Sequence, residues 1–206
     1  MPDFAVRSSL IWRRKMLKLK KTGHRDLEKY YTLMQMDFDS EELISKFDIH
    51  RALMNGSMEL LTAYDDESNL DLAYVLTCPK GAYGYVLIKY FAVLPWYREK
   101  GIGKETMRLI NRYYADSQGL LAEITEFEDD YPDHVRKLIK FFMRFGYNEI
   151  PVEYTIGGTK AHLFAKGIKG TGDIAPVAHR IIQDEYSRLL SASAANRMID
   201  INKYRE

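Results

Sequence analysis

The sequence predicts one α/β (α+β) domain built on a mixed central sheet with flanking helices. Three observations predict it. Stretches of strand and helix periodicity follow one another in the order β-α-α-β-β-β-α-β-α-β-β-α, with no internal repeat. Residues 83–93 are almost wholly apolar or aromatic, as a strand covered on both faces should be. That strand stops at Pro95 and enters a helix through two glycines, Gly101 and Gly103. A chain of 206 residues, 46% of them apolar, can bury its own core without disulfide or metal staples.

Residues 1–15 hold Trp12 and several basic side chains but no sustained period; they read as a leader, either a disordered tail or the product of an early start codon. Folded structure is expected from Met16, where Leu17 and Leu19 alternate with Lys18 and Lys20. Leu27, Tyr30, Tyr31 and Met34 recur at helical spacing. A second helix is expected to start at Asp39 or Ser40, since either can cap it and Glu41 and Glu42 suit the positive end of its dipole. Asn55-Gly56 is a turn signal.

Strands are expected at 58–64, 70–77 and 83–93, with Pro79-Lys80-Gly81 turning the chain before the last. After Gly101, the residues Ile102, Thr106, Leu109, Ile110 and Tyr113 share a helix face. A strand at 119–127 follows, then an amphipathic helix carrying Val135, Leu138, Ile139, Phe142 and Phe145, stopped by Gly146. Strands at 147–156 and 160–166 are joined by Gly157-Gly158, a good hairpin turn. A Gly-rich linker at 167–172 leads to a terminal helix over 176–190, whose Ile181, Ile182, Tyr186, Leu189 and Leu190 either complete the core or pair with a second copy. The organisation is thus a leader (1–15), a folded domain (16–166), and a linker with a C-terminal helix (167–206).

Composition excludes some functions. The formal net charge is +1, so nothing global argues for nucleic acid or an anionic membrane, although Arg13, Arg14, Lys15, Lys18, Lys20, Lys21 and Arg25 form a basic run without acids. No apolar run approaches the roughly 20 residues of a membrane span, and no secretory signal opens the chain. Cys78 is alone and cannot form an internal disulfide, which fits a reducing, cytoplasmic setting. His50, His134, His162 and His179 lack metal-ligand spacing with Cys or acidic partners, so no metal is predicted.

The chemistry concentrates at Phe91-Ala92-Val93-Leu94-Pro95-Trp96-Tyr97-Arg98-Glu99-Lys100-Gly101-Ile102-Gly103-Lys104. A helix start leaves backbone N–H groups unpaired with the positive dipole end behind them, an anion site suited to a pyrophosphate. Glycine lets the backbone approach phosphate closely. Alone, Gly-x-Gly before a helix describes an ordinary turn as well. A dinucleotide fold would want a third glycine where Thr106 stands, and a Walker loop would want a Gly-Lys-Ser/Thr that is absent.

This segment resembles the CoA signature of the GNAT superfamily of acyl-CoA-dependent N-acyltransferases. The matching residues are Val93-Leu94-Pro95 followed by Arg98-Glu99-Lys100-Gly101-Ile102-Gly103, and a second mark is Phe141-Phe142-Met143-Arg144-Phe145-Gly146-Tyr147. The resemblance implies a mostly antiparallel sheet splayed between its fourth and fifth strands, with acetyl-CoA as co-substrate. Phe91, Ala92 and Val93 would pair with the pantetheine arm, and the amides of Arg98, Glu99, Lys100, Gly101, Ile102, Gly103 and Lys104 would hold the pyrophosphate. A backbone N–H near Val93 would stabilise the oxyanion.

An alkylammonium has a pKa of roughly 10, so attack on a thioester requires a proton acceptor. By resemblance Glu123 is that base, with Glu126 in reserve. Burial in an apolar strand would raise the Glu123 carboxyl; the alternative is that it faces solvent at a sheet edge. The family's tyrosine, which protonates the departing thiolate, falls at Phe142, which has no proton to give. Tyr131, Tyr147 or water would have to substitute; otherwise the chain is a non-catalytic acyl-CoA-binding module. Asp37 and Asp39, with Glu126, Glu128, Asp129 and Asp130, would favour a cationic amine acceptor if they face the acyl group; they serve equally as solvated loop charges.

Overall fold

A computed structural model describes residues 17–79, 81, 83–125, 133–167, 174 and 177–200 of the chain. The leader, the acidic run from Glu126 to Asp130, Tyr131 and nearly all of the linker lie outside these residues.

The strands β1 (Leu17–Thr22), β2 (Glu59–Asp65), β3 (Asp71–Cys78), β4 (Tyr85–Val93), β5 (Gly119–Thr125), β6 (Asn148–Ile156), β7 (Thr159–Gly167) and β8 (Ile199–Asp200) form one sheet. Its order is β1-β2-β3-β4-β5-β7-β6-β8. Only β4 and β5 run parallel; every other neighbouring pair is antiparallel. Around the sheet stand α1 (Leu27–Asp37), α2 (Lys46–Asn55), α3 (Ile102–Tyr113), α4 (Asp133–Arg144), α5 (Ala178–Leu189) and α6 (Ala192–Met198). This is the mixed, mostly antiparallel architecture the sequence implies.

Strand alternation sorts the helices onto two faces. Tyr85 and Leu87 of β4 and Leu121 of β5 enter the core built with α1, α2 and α5. Val86 and Ile88, with Leu120 and Ala122, enter the core built with α3 and α4. Buried on both sides, β4 and β5 therefore need the near-continuous apolar run seen in the sequence.

The second helix begins later than expected, at Lys46 rather than Asp39 or Ser40. Ser45 caps it, its hydroxyl accepting from the Asp48 amide at 3.1 Å. The reason lies on another strand. The Tyr90 hydroxyl donates to the Glu42 carbonyl at 2.9 Å and accepts from the Ile44 amide at 2.8 Å, taking two backbone groups that a helix would use. The chain from Asp39 therefore makes one turn and stops. The β6–β7 hairpin turns at Gly157 and Gly158, with φ of 59° and 84°, as its sequence predicts. Beyond the expected elements, α6 and the two-residue β8 return the chain to the sheet edge, with Thr155 opposite Asp200 and Ile156 opposite Ile199.

Helix α5 completes the core, with Ile181, Ile182, Tyr186 and Leu189 buried. Each apolar side chain so placed contributes about 1.5–3 kcal/mol. Glu185 goes under with them. Arg188 pairs with it at 3.0 Å and also donates to the Pro79 carbonyl at 3.1 Å. Gly81 stands where any Cβ would collide with the Glu185 carboxyl. Burial outweighs the Arg188 charge and pushes the Glu185 carboxyl up to about 8.

A carboxyl raised from the ordinary 4.5 to about 8 on folding means that the folded chain holds the extra proton between those values. Its contribution to stability is complete below the lower value and is lost as pH rises through the upper one. Stability measured by urea unfolding should therefore fall from about pH 5 to about pH 9, and Glu185→Gln should flatten that fall. An equal slope in the variant would remove Glu185 as its source.

Candidate active site

The site forms where β4 and β5 stop pairing. Their rungs run from Tyr85 opposite Gly119 to Ile88 opposite Ala122, yet β4 continues to Val93 and β5 to Thr125. A β-bulge sits at the parting. Thr77 of β3 faces Ile88, but the next rung is Leu76 with Tyr90, so Lys89 has no residue opposite it. The extra residue breaks the alternation: Leu87, Lys89, Tyr90 and Ala92 all turn toward the α1–α2–α5 side.

A cavity of about 480 Å³ fills the parting. Asp39 and Glu42 of the α1–α2 connection line it, as do Lys89 and Tyr90 of β4, residues 123–125 of β5, and Val135 and Leu138 of α4. Because these come from both faces, the cavity reaches through the sheet.

On its floor, Glu123 lies in a closed polar cluster. Lys89 Nζ is 2.9 Å from Glu123 Oε2, and both side chains are only 3% exposed. The Tyr154 hydroxyl donates to Glu123 Oε1 at 3.0 Å, and the Tyr186 hydroxyl donates to Oε2 at 2.9 Å. Lys89 also donates to the Tyr186 hydroxyl. Burial, reinforced by the Glu123 charge, holds the Tyr154 and Tyr186 phenols well above the usual tyrosine range, so both remain neutral donors. A carboxylate offers about four acceptor sites, and three are used.

The glycine loop lies at the same end of β4. A single 3-10 turn at Pro95–Tyr97 follows the strand, Glu99 and Gly101 take left-handed φ of 62° and 80°, and α3 begins at Ile102. The first-turn amides of α3, including those of Gly103 and Lys104, have no carbonyl to meet within the helix. A Cβ on Gly103 would lie 3.5 Å from Val93 and 3.7 Å from Phe91, so a methyl group fits but a larger side chain would press on these neighbours and displace the start of the helix. Phe91 stacks on Phe141, their centroids 5.8 Å apart, beside Gly103.

The Arg98 side chain does different work. Its guanidinium pairs with Asp37 and its Nε donates to the Val93 carbonyl at 3.0 Å, while its amide meets the Pro95 carbonyl at 3.4 Å. Arg98 thus clamps the loop to the end of α1. Asp37 is engaged by that clamp and by the Tyr74 hydroxyl at 3.0 Å, and both it and Asp39, the two acids singled out before α2, line the cavity. Lys100 donates to the Trp96 carbonyl at 2.8 Å, closing the loop on itself.

Of the proton donors suggested by sequence, the one among the described residues, Tyr147, turns away from the cavity. Phe142 is buried against Tyr147 and Phe141. Tyr147 is equally buried and its hydroxyl points to Met107 Sδ at 3.7 Å. Tyr131 and Glu126 are outside the described residues. Sequence reasoning missed Lys89, Tyr154 and Tyr186. A signal for Lys89 was present: it is the single charge within 83–93, as Glu123 is within 119–125.

The glycine-started α3, the bulged β4 and the parted β4–β5 pair define the GNAT fold, and solved structures bear this out. A GNAT-family protein from Bacteroides thetaiotaomicron matches with a TM-score of 0.64 at 17% identity, over 80% of this chain and 93% of its own. Arabidopsis thaliana NAA60, solved with a bisubstrate analogue, matches with a TM-score of 0.59 at 16% identity, over 75% of this chain and 99% of its own. The dodecameric spermidine N-acetyltransferase of Vibrio cholerae matches with a TM-score of 0.55 at 11% identity, over 74% and 94%. No family model and no curated protein matches the sequence. Among the described residues, no group of three or more His, Cys, Asp or Glu could hold a metal ion, and no helix is long and apolar enough to cross a membrane.

Removing one member of a buried ion pair strands the other, which typically costs about 3–5 kcal/mol. Lys89→Met should lower unfolding stability by that order, and adding Glu123→Gln should restore most of it, since Gln still accepts from Tyr154 and Tyr186. Chemical denaturation of the single and double variants checks this; additive losses would dissolve the pair as a unit.

Proposed function

We propose that this chain is an N-acetyltransferase that moves the acetyl group of acetyl-CoA to a primary amine by direct attack on the thioester. The observation that carries the reading is the coincidence, at one end of β4, of an open strand edge, a through-sheet cavity and a glycine-started helix. The pyrophosphate sits on the free amides at the start of α3, and the pantetheine arm pairs with Phe91, Ala92 and Val93 as an added strand. The thioester then lies in the parting, with a β4 amide near Val93 as oxyanion donor.

The acceptor enters from the side of the α1–α2 connection. Asp39 and Glu42 give that wall negative charge, which favours a cationic amine such as a polyamine or a peptide amine. The acceptors named for the structural neighbours belong to this class, spermidine among them. Glu123 is the base, using its remaining acceptor site, with Glu126 in reserve. The lone, buried Cys78 supports a reducing, cytoplasmic setting.

A second reading has its own observation. Phe142 is buried and carries no hydroxyl, and Glu123 is already paired, which suits a module that binds acyl-CoA and does not turn it over. Release of free CoA in the presence of an amine separates the two.

Thermal unfolding is the direct test. Acetyl-CoA at about 100 times its dissociation constant should add roughly 2.7 kcal/mol of stability, with no shift from NAD or ATP. Gly103→Trp should abolish that shift; a retained shift places the phosphates elsewhere. With a productive amine, Glu123→Gln should lower turnover by about 10²–10⁴-fold with acetyl-CoA affinity kept, and an unchanged pH–rate profile would remove Glu123 as the base.

A further inference from the structure

Glu123 already holds an alkylammonium. Lys89 Nζ lies 2.9 Å from its Oε2, and both side chains line the cavity beside the last paired rung of β4 and β5. N-acylation asks for this arrangement: a primary amine, a carboxylate within hydrogen-bond reach to take its proton, and a place next to the acyl group. We propose that the chain acylates its own Lys89. The inference rests on the reading above, in which an acyl-CoA thioester occupies the parting of the strands.

The bulge makes the placement. Lys89 is the unpaired residue of β4, immediately after Ile88, so its main chain sits where an arm running back along residues 91–93 must end. Its side chain points to the α1–α2–α5 face, whereas Gly103, Phe91 and Phe141 stand against the other face. An acyl-CoA seated on the α3 side, its arm running back along residues 91–93, would bring its thioester toward the Lys89 amine across the parting of the strands. Tyr154 and Tyr186 fix the carboxylate, and the carboxylate fixes the amine.

A structural role alone explains this poorly. Apolar side chains of similar volume fill a core as well as a buried ion pair, without its desolvation cost. The pair, although both side chains are only 3% exposed, borders the cavity.

The step balances. Glu123 takes one proton from the Lys89 ammonium and passes it to water. The Nζ lone pair attacks the thioester carbonyl carbon, the C–N bond forms and the C–S bond breaks. The second amine proton leaves with sulfur, giving free CoA thiol and an amide on Lys89. Acylation removes the Lys89 charge and leaves Glu123 with its two tyrosine donors and no cation.

The test uses the full chain, isotopically labelled acetyl-CoA and no added amine. Labelled lysines are mapped by mass spectrometry over time, beside a heat-denatured control and the thermal shift with acetyl-CoA. Lys89 should label first in the folded chain and lose that preference when denatured. Glu123→Gln should slow Lys89 labelling by about 10²-fold or more while surface lysines label as before. Lys89→Arg, which keeps a cation opposite Glu123, should show only the surface pattern. A thermal shift with Lys89 labelled no faster than surface lysines overturns this inference and leaves acyl-CoA binding standing. Labelling of Lys89 in Glu123→Gln at the unaltered rate also overturns it. No thermal shift overturns both this and the reading it rests on.

Discussion

A parallel strand pair that stops pairing part-way along must leave backbone donors and acceptors without strand partners, and buried groups of that kind are expensive to leave unmet. In this chain the abandonment occurs after Ile88 and Ala122, in the middle of a sheet covered on both faces. The bulge at Lys89 brings it about by adding one residue to β4 on the β3 side, so that the strand bends away from β5. The cavity, the open strand edge and the position of Lys89 are consequences of that single insertion. So is the path of the α1–α2 connection: the bulge turns Tyr90 to the same face as Lys89, and its hydroxyl then fixes the Glu42 carbonyl and the Ile44 amide.

Holding such a gap open requires bracing on either side. The Arg98–Asp37 pair joins the glycine loop to the end of α1, and Tyr74 of β3 fixes the same Asp37. Glu42 receives the Thr125 hydroxyl at 2.5 Å, linking the α1–α2 connection across the cavity to the end of β5. These contacts join elements that the absent β4–β5 rungs no longer hold together. Exposed ion pairs are worth little in isolation, and the Arg98 side chain is half exposed. The gain from this clamp is therefore geometric: it fixes where the amides of α3 point relative to the strand edge.

What could be read from the sequence follows from how local each feature is. The apolar run of β4, the two helical periods after it and the Gly157-Gly158 hairpin are properties of neighbouring residues, and each appears where the periodicity puts it. The glycine loop was legible for the same reason. The start of α2 was not, because the groups that stop an earlier helix are taken by Tyr90, distant in sequence. Glu123 was singled out by resemblance, from its place on the strand after the glycine-started helix, but its partners come from β4, β6 and α5, and nothing local in the sequence brings Lys89, Tyr154 and Tyr186 together. The short β8 is set by pairing with β6, so no period of its own announces it.

Helix α5 brings two titratable side chains in succession into the same buried region, and the sheet treats them differently. Tyr186 reaches Glu123 and Lys89, while Glu185 turns toward Arg188 and the β3–β4 turn. The Glu123 charge is among the causes that raise the Glu185 carboxyl, after burial itself. Two carboxyls share this low-dielectric region, and Lys89 pairs with one of them. Glu185, whose arginine is partly exposed, is driven toward its proton chiefly by burial. The charge at the site is therefore felt on the helix that closes the core behind it, and any event that removes the Lys89 charge alters the field at both carboxyls.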